Sequence, residues 1–225
     1  ATRKGMPDEL AAQLPITKQV LDALGVTRCE LAGYEADDLL GTISRRADEH
    51  GDTCVVVTGD RDSLQLVGGG TTVMLVSTRM GQTTYQTYDT AAFREKYGFD
   101  PIRLIDLKAL MGDSSDNIPG VPGIGEKTAM QLLHDFGTLE GVYANIDDER
   151  IKKGARTKLQ NGEQSAKDSY WLATIDRSVP LDLDVEHLPA QDIDETALYD
   201  LLTRLEFKNF IKRFDLSGES VSAPR

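Results

Sequence analysis

Seven acidic side chains fall into three short motifs, Glu35-x-Asp37-Asp38, Asp60-x-Asp62 and Asp113-x-x-Asp116, with no His or Cys inside any of them. A donor set made only of oxygen selects hard cations such as Mg²⁺ or Mn²⁺ rather than zinc. Two such ions roughly 4 Å apart support phosphodiester hydrolysis: one helps make hydroxide from water, and both stabilise charge on the attacking and leaving oxygens. Without a cation these acids would repel one another and titrate as a coupled group. Taken singly, each motif has a structural explanation as a helix cap or turn. Three together, each at a strand-to-helix junction, favour a metal site.

The third motif runs directly into a second kind of chemistry. Residues 112–129 read GDSSDNIPGVPGIGEKTA. Gly120, Gly123 and Gly125 let the backbone turn through positive φ and approach another chain closely, while Pro119 and Pro122 pre-set φ between them. Glu126 and Lys127 then open a helix whose first amides have no internal partner and carry the positive end of its dipole, a seat for one backbone phosphate. Asp113 and Asp116 repel phosphate unless a cation lies between.

The elements that must hold these groups alternate β and α in the first half of the chain. Pro7 opens a helix over 7–24 that Pro15 kinks or splits and Gly25 ends. A short strand is expected at 26–32 and a helix from Glu35 to about Glu49, closed by His50 and Gly51. TCVVVT (53–58) is the continuous apolar run of a parallel strand buried on both faces. A short helix (61–67), a strand (72–77), a turn at Gly81 and a strand near 84–88 follow. This pattern predicts an α/β fold, a mainly parallel central sheet flanked by helices on both sides. Ligands of such sheets sit at the carboxyl ends of the strands, where the acids fall. A strand as apolar as 53–58 wants neighbours on both edges, and few partners are available, so strands N-terminal to Ala1 are expected to be missing. From residue 89 onward the pattern is helical: 90–97, 101–111, 126–136, 138–145, one long helix over about 155–175, then 194–204 and 206–214 after an extended 178–190. The tail LSGESVSAPR suits a linker.

Composition is that of an ordinary soluble protein, with 40% hydrophobic residues and a net charge of −12. That charge argues against coating nucleic acid by simple electrostatics, though not against local binding by the basic residues around 126–167. No apolar run approaches a membrane span, the N-terminus has no signal-peptide core, and a cytoplasmic setting is the default. Cys29 and Cys54 have no metal-type spacing and read as small buried residues of a reducing compartment. Tyr34, Tyr170 and Trp171 have apolar neighbours and are expected in the core rather than against bases. Lys127 is the safest phosphate contact; Lys152, Lys153, Arg156 and Lys158 are equally well explained as a solvated helix face.

YEADD (34–38), TGDRDSLQLV (58–67), ALMGDSSDNIPGVPGIGEKTA (109–129) and LEFKNFIKRF (205–214) together resemble the 5′-nuclease (5′-3′ exonuclease) domains of the bacterial DNA polymerase I type, members of the flap endonuclease family. The resemblance spans essentially the whole chain. It implies a PIN-like 5′-nuclease core with a helical helix-three-turn-helix region: residues 1–100 as part of the catalytic core, 101–216 as the DNA-binding region and 217–225 as linker or tail. It implies a metal-dependent 5′-flap endonuclease that acts in RNA primer removal, Okazaki fragment maturation and DNA repair. Its partners would be DNA with a 5′ flap, nick or RNA-primer end and a covalently linked polymerase domain, on a monomer that meets no membrane.

On that resemblance Glu35, Asp37, Asp38, Asp60, Asp62, Asp113 and Asp116 hold two divalent ions. Gly120, Val121, Gly123, Ile124, Gly125, Lys127 and Thr128 grip duplex DNA, with K⁺ bound through hairpin carbonyls. Arg3 contacts the phosphate near the scissile bond and Lys4 assists. The family also carries metal-binding Asp residues on strands ahead of Ala1 and a lysine just before it, so this fragment is expected to hold an incomplete metal site and to lack full activity. The reading from another class is a non-catalytic DNA-binding module in which only the hairpin works.

Overall fold

The computed structural model describes residues 5–184, 188 and 191–217. Two short helices open the chain, α1 (Asp8–Ala11) and α2 (Leu14–Ala23), with Pro15 in the first turn of α2, so the expected proline break is a clean split. The strand expected at 26–32 does not form. Its residues are tied to α2 by side chains instead: Arg28 donates to Asp22 (2.6 Å) and Lys18 meets Glu30 (2.7 Å).

Helix α3 (Ala36–His50) ends at Gly51, whose φ of 89° is the left-handed closure that glycine supplies. β1 (Cys54–Thr58) pairs in parallel with β2 (Thr71–Arg79), and β2 pairs antiparallel with β3 (Gln82–Tyr88), giving the order β1-β2-β3. The sheet is therefore α/β in kind, with one parallel and one antiparallel ladder. Met80 and Gly81 both have positive φ (49° and 77°), the two-residue turn that suits strand twist. Along β1, Val56 is buried, but Val55 and Val57 on the other face are 57% and 58% exposed.

A 3₁₀ turn (Asp62–Leu66) lies between β1 and β2. After the sheet come α4 (Thr90–Tyr97), a 3₁₀ turn at Pro101–Arg103, α5 (Leu104–Met111), α6 (Glu126–Phe136) and α7 (Leu139–Ala144). The single long helix expected over 155–175 is two, α8 (Lys153–Asn161) and α9 (Glu163–Ala173). Gly162 sits at the joint because a Cβ there would lie 2.9 Å from Val121 Cγ1. The last helices are α10 (Glu195–Arg204) and α11 (Lys208–Arg213).

The chain divides into two compact units, residues 31–186 and residues 1–30 with 187–225. In the larger unit Val56 and Val73 of the sheet, Phe93 of α4, Leu107 and Leu110 of α5, Leu133 of α6 and Leu159 of α8 share one core. The smaller has its own, in which Ala23 of α2 meets Leu198 and Leu202 of α10. Two expectations of burial fail. Trp171 is 77% exposed and Tyr34 is 39% exposed, while Tyr170 is half-buried. Helix α9 turns Ala166, Ser169 and Ala173 inward, which places Trp171 on the opposite side. The two cysteines are half-buried and free, and burial pushes the Cys54 thiol up. No helix among the described residues is long and apolar enough to cross a membrane.

Candidate metal centre

The acids arrive from three places in the larger unit. Glu35 is the extended N-cap residue of α3 and donates its amide to Asp38 Oδ2 (3.2 Å). The other oxygen of Asp38 accepts from the Asp176 amide (2.9 Å), so Asp38 has a structural task already. Asp37, between them, receives the Ser63 hydroxyl (3.3 Å). Directly beyond the tip of β1, the Asp60 amide bonds Thr58 Oγ1 (3.0 Å) and Asp60 Oδ1 accepts from the Asp62 amide (2.9 Å). Asp62 is then held by the 3₁₀ turn it begins, whose Ser63 and Leu64 are fully buried.

The third group follows α5. Asp113 exchanges two backbone hydrogen bonds with Ile118, each 2.8 Å, closing a loop around Asp116, and its Oδ1 accepts from the Ser115 amide (2.9 Å). One oxygen each of Asp62, Asp113 and Asp116 lie within 4.8 Å of one another.

A residue that the sequence did not suggest completes the cluster. Lys108, 5% exposed on α5, places its ammonium among the three carboxylates, hydrogen-bonded to Asp62, 2.7 Å from Asp113 Oδ2 and 3.9 Å from Asp116 Oδ2. The signal was available: a lysine in the otherwise apolar run Leu107 to Met111 needs a buried partner, and Asp113 lies five residues on.

Charge in the cluster is unevenly shared. Burial would raise the Asp113 carboxyl, but Lys108 and the two Ser115 donors outweigh it and hold the pKa at about 2. Asp62 goes the other way: burial raises it, and Asp60 and Asp116 add to that against the pull of Lys108. Asp37 is raised by burial and then by Asp60, Asp62 and Glu35. Asp37 and Asp62 therefore each feel the charge of neighbouring acids from the other motifs.

The hairpin is bolted to the same framework. Gly120 has φ of 62°, and a Cβ on it would lie 2.2 Å from the Gly112 nitrogen, so only glycine fits. Its amide donates to Ser169 Oγ (2.9 Å), its carbonyl accepts from Ser165 Oγ (2.6 Å), and the Val121 amide donates to Leu110 (2.9 Å). Val121 and Ile124 are core residues, the Val121 amide held by α5 and the Ile124 amide by the Val121 carbonyl (2.9 Å), so they shape the hairpin from within. Gly123 (φ 82°), Gly125, Lys127 and Thr128 are exposed, and among the described residues no acceptor meets the amides of Gly125, Glu126 or Lys127. Lys158 Nζ reaches the Gly123 carbonyl (2.9 Å), and Lys152 and Lys153 are exposed nearby in sequence. Arg156 is spent on the carbonyls of Asp147, Asp148 and Ile151. Arg3 and Lys4 lie outside the described residues.

An α/β fold that brings Asp62, beyond a strand tip, together with Asp113 and Asp116, and follows them with a glycine hairpin whose amides are open, has the donors that metal-dependent hydrolysis of phosphodiester bonds requires. The chain belongs to the 5′-3′ exonuclease family. Residues 1–98 match the family model described as "5'-3' exonuclease, N-terminal resolvase-like domain", and residues 99–196 match "5'-3' exonuclease, C-terminal SAM fold". Among curated relatives, DNA polymerase I of Caldicellulosiruptor bescii is 43% identical across 96% of this chain, and DNA polymerase I of Bacillus caldotenax is 40% identical across 99%. The chain spans about a quarter of the length of either relative, 25% in each case. Two solved structures share the fold. A T5 5′-exonuclease with bound divalent metal ions (zinc) superposes with a TM-score of 0.60 at 23% identity, covering 89% of this chain and 72% of the other. The catalytic core of Rad2 in complex with DNA substrate gives 0.62 at 20% identity, covering 96% and 72%.

Proposed function

We propose that this chain is the 5′-nuclease part of a DNA polymerase I, a structure-dependent enzyme that removes 5′ flaps and RNA-primer ends from DNA in the cytoplasm during replication and repair. The observation that carries the reading is the convergence of Asp62, Asp113 and Asp116 within 4.8 Å, in a chain of the 5′-3′ exonuclease family. The donor set fits divalent metal: every candidate ligand is a carboxylate oxygen, and an ion bound there would take over the neutralising place of the Lys108 ammonium. Asp60, Asp62, Asp113 and Asp116, with Glu35 and Asp37, would hold the ions, two Mg²⁺ or Mn²⁺. Bound there, they would supply an activated water and stabilise charge on the reacting phosphate.

The protein's own groups do the rest. Asp60 and Asp62 fix the cluster to the strand tip, and Asp38 braces the start of α3 against Asp176. The open amides of Gly125, Glu126 and Lys127 and the side chain of Lys127 would seat a phosphate of the duplex. Gly120, Val121, Gly123, Ile124 and Thr128 shape that seat, and the Gly123 carbonyl, already drawn on by Lys158, is the candidate K⁺ ligand. Arg3 and Lys4 would contact the scissile phosphate. Residues 1–100 would form part of the catalytic core, which Asp113 and Asp116 complete, and residues 101–216 the DNA-binding region, with 217–225 as linker or tail and a polymerase domain as the covalently linked partner.

One observation favours a DNA-holding module without catalysis: Lys108 already neutralises part of the charge a metal would meet. Calorimetric titration of Mn²⁺, repeated with Asp113→Asn, and cleavage of a labelled 5′-flap duplex separate the two. Saturable Mn²⁺ binding that Asp113→Asn removes, with Mn²⁺-dependent cleavage that Asp60→Asn abolishes while duplex binding persists, supports the nuclease. Duplex binding indifferent to Mn²⁺, with no saturable metal uptake, supports the module.

A further inference from the structure

The N-terminal half of α5 does something its C-terminal half does not. Between Arg103 and Asp106, the start of α7 and the outer side of α9 lies a cavity of about 550 Å³, within the range of about 300–1,000 Å³ usual for small-ligand sites. Two of its walls are tyrosines. Tyr143 donates its hydroxyl to the Leu159 carbonyl (3.2 Å), which fixes the ring, and burial pushes its pKa up to about 12, so it stays an uncharged face. Tyr170 is packed on Ile105, Ile118 and Ala173. Asp106, 2% exposed at the back, has one oxygen on the Leu139 amide (2.8 Å) and the other on Arg103 Nη1 (3.2 Å). Glu140 and Lys167 stand exposed among the lining residues, Lys167 with its ammonium 2.7 Å from Glu163 on the solvent side of α9, and the guanidinium of Arg103 is a third exposed.

That arrangement matches a specific chemistry. Tyrosine faces accept a flat heteroaromatic ring, a carboxylate beside them accepts hydrogen bonds from a ring-edge amine, and Arg103 and Lys167, each with donors to spare beyond its pairing with Asp106 or Glu163, bind an anion. We propose that this cavity is a binding site for a nucleoside 5′-monophosphate, with the base against Tyr143 and Tyr170, its amine toward Glu140 and the phosphate toward Arg103 and Lys167. The site is separate from the hairpin: α5 is eight residues, about 12 Å long, and the acid cluster and hairpin follow its far end. A site for the product of phosphodiester cleavage rests, for its purpose, on the nuclease reading, whereas its occupancy does not.

The chain carries its own reporter. Trp171 is its single tryptophan, exposed on α9 four residues beyond Lys167 and so on the same side of that helix. With EDTA present, so that the acid cluster plays no part, dAMP is titrated into the whole chain and followed by Trp171 fluorescence and by calorimetry. One saturable site is expected, weakened about tenfold by Lys167→Ala and about fivefold by Glu140→Ala, the scale of single charge-assisted contacts. Both substitutions are at exposed positions and leave the core intact. Lys127→Glu, at the hairpin, leaves the affinity unchanged. Deoxyadenosine without phosphate binds at least tenfold more weakly, and inorganic phosphate does not compete at equal concentration. No saturable signal, equal loss with Lys127→Glu, or full competition by phosphate alone overturns the site. Loss of flap cleavage in Asp60→Asn with dAMP binding intact separates this result from the fate of the nuclease reading.

Discussion

Replacing Lys108 by Met tests the acid cluster most directly, because methionine keeps the apolar stem of the side chain and removes only the ammonium. Three carboxylate oxygens then remain within 4.8 Å of one another without a neutraliser. At an effective dielectric constant of about 20, each like-charge pair at that distance costs about 3.5 kcal/mol. Three such pairs exceed what a domain tolerates, so the cluster takes up a proton instead. Protonating one aspartate of ordinary pKa at pH 7 costs about 4 kcal/mol, which is the ceiling on the effect. Because the side chains of Asp62, Asp113 and Asp116 are 19%, 21% and 34% exposed, solvent recovers part of this, and a loss of about 3 kcal/mol is expected, close to that for breaking a buried ion pair.

Thermal unfolding in EDTA should therefore show Lys108→Met melting about 6–12 °C below the parent chain. Saturating Mn²⁺ should narrow that gap, since the ion no longer competes with the ammonium, and a ligand at about 100 times its dissociation constant contributes about 2.7 kcal/mol. The carboxyls of the variant have raised pKa values, so its deficit is smallest at low pH and grows as pH rises through them. Melting within a degree of the parent in EDTA, or the same response to Mn²⁺ in both proteins, refutes the placement of Lys108 as the cluster's internal counter-ion.

Asp113, held at about 2 against 3.8, contributes about 2 kcal/mol that is present above pH 4 and lost as pH falls toward 2; urea titrations across that window should show the loss, and Asp113→Asn should reduce the slope, leaving the share of Asp148 and the other paired carboxylates. Gly120→Ala would force a side chain onto the Gly112 nitrogen at φ of 62°, and a destabilisation above about 3 kcal/mol is expected by chemical denaturation, against less than 1 kcal/mol for Gly154→Ala, whose added carbon meets nothing within 4 Å. Ser169→Ala strands the buried Gly120 amide and should cost about 1–3 kcal/mol while weakening duplex binding in a fluorescence anisotropy titration. Asp106→Ala removes the acceptor of the Leu139 amide and the partner of Arg103, with a similar loss expected on unfolding.

What could be read from the sequence divides along physical lines. The acid motifs and the glycine hairpin were legible because their chemistry is local: spacing fixes which residues turn, cap or repel. Helix α3, strand β1 and the Met80–Gly81 turn follow from the same kind of signal. Segment 26–32 misled because VTRCELA has the composition of a strand, whereas strand formation requires a partner and its charges found α2 first. Trp171 misled because apolar neighbours in sequence say nothing about which side of a helix faces the core. Lys108 was missed because the partners that explain a buried charge, Asp62 and Asp116, are distant in the chain or hidden in another motif.

Lys108 also changes how the two halves of residues 112–129 relate. Helix α5 reaches the acids through Lys108 and the hairpin through the Leu110 carbonyl, which takes the Val121 amide, while the serines of α9 hold Gly120 by both its amide and its carbonyl. One short rigid helix thus sets the distance between the place where backbone phosphate would be seated and the place where it would be cut. A perturbation of α5 packing, such as Leu107→Ala in the core, should then disturb metal uptake and duplex binding together. Substitutions at Lys127 or Asp60 should disturb only one of them, and that contrast in paired titrations is the signature of a spacer rather than of two independent sites.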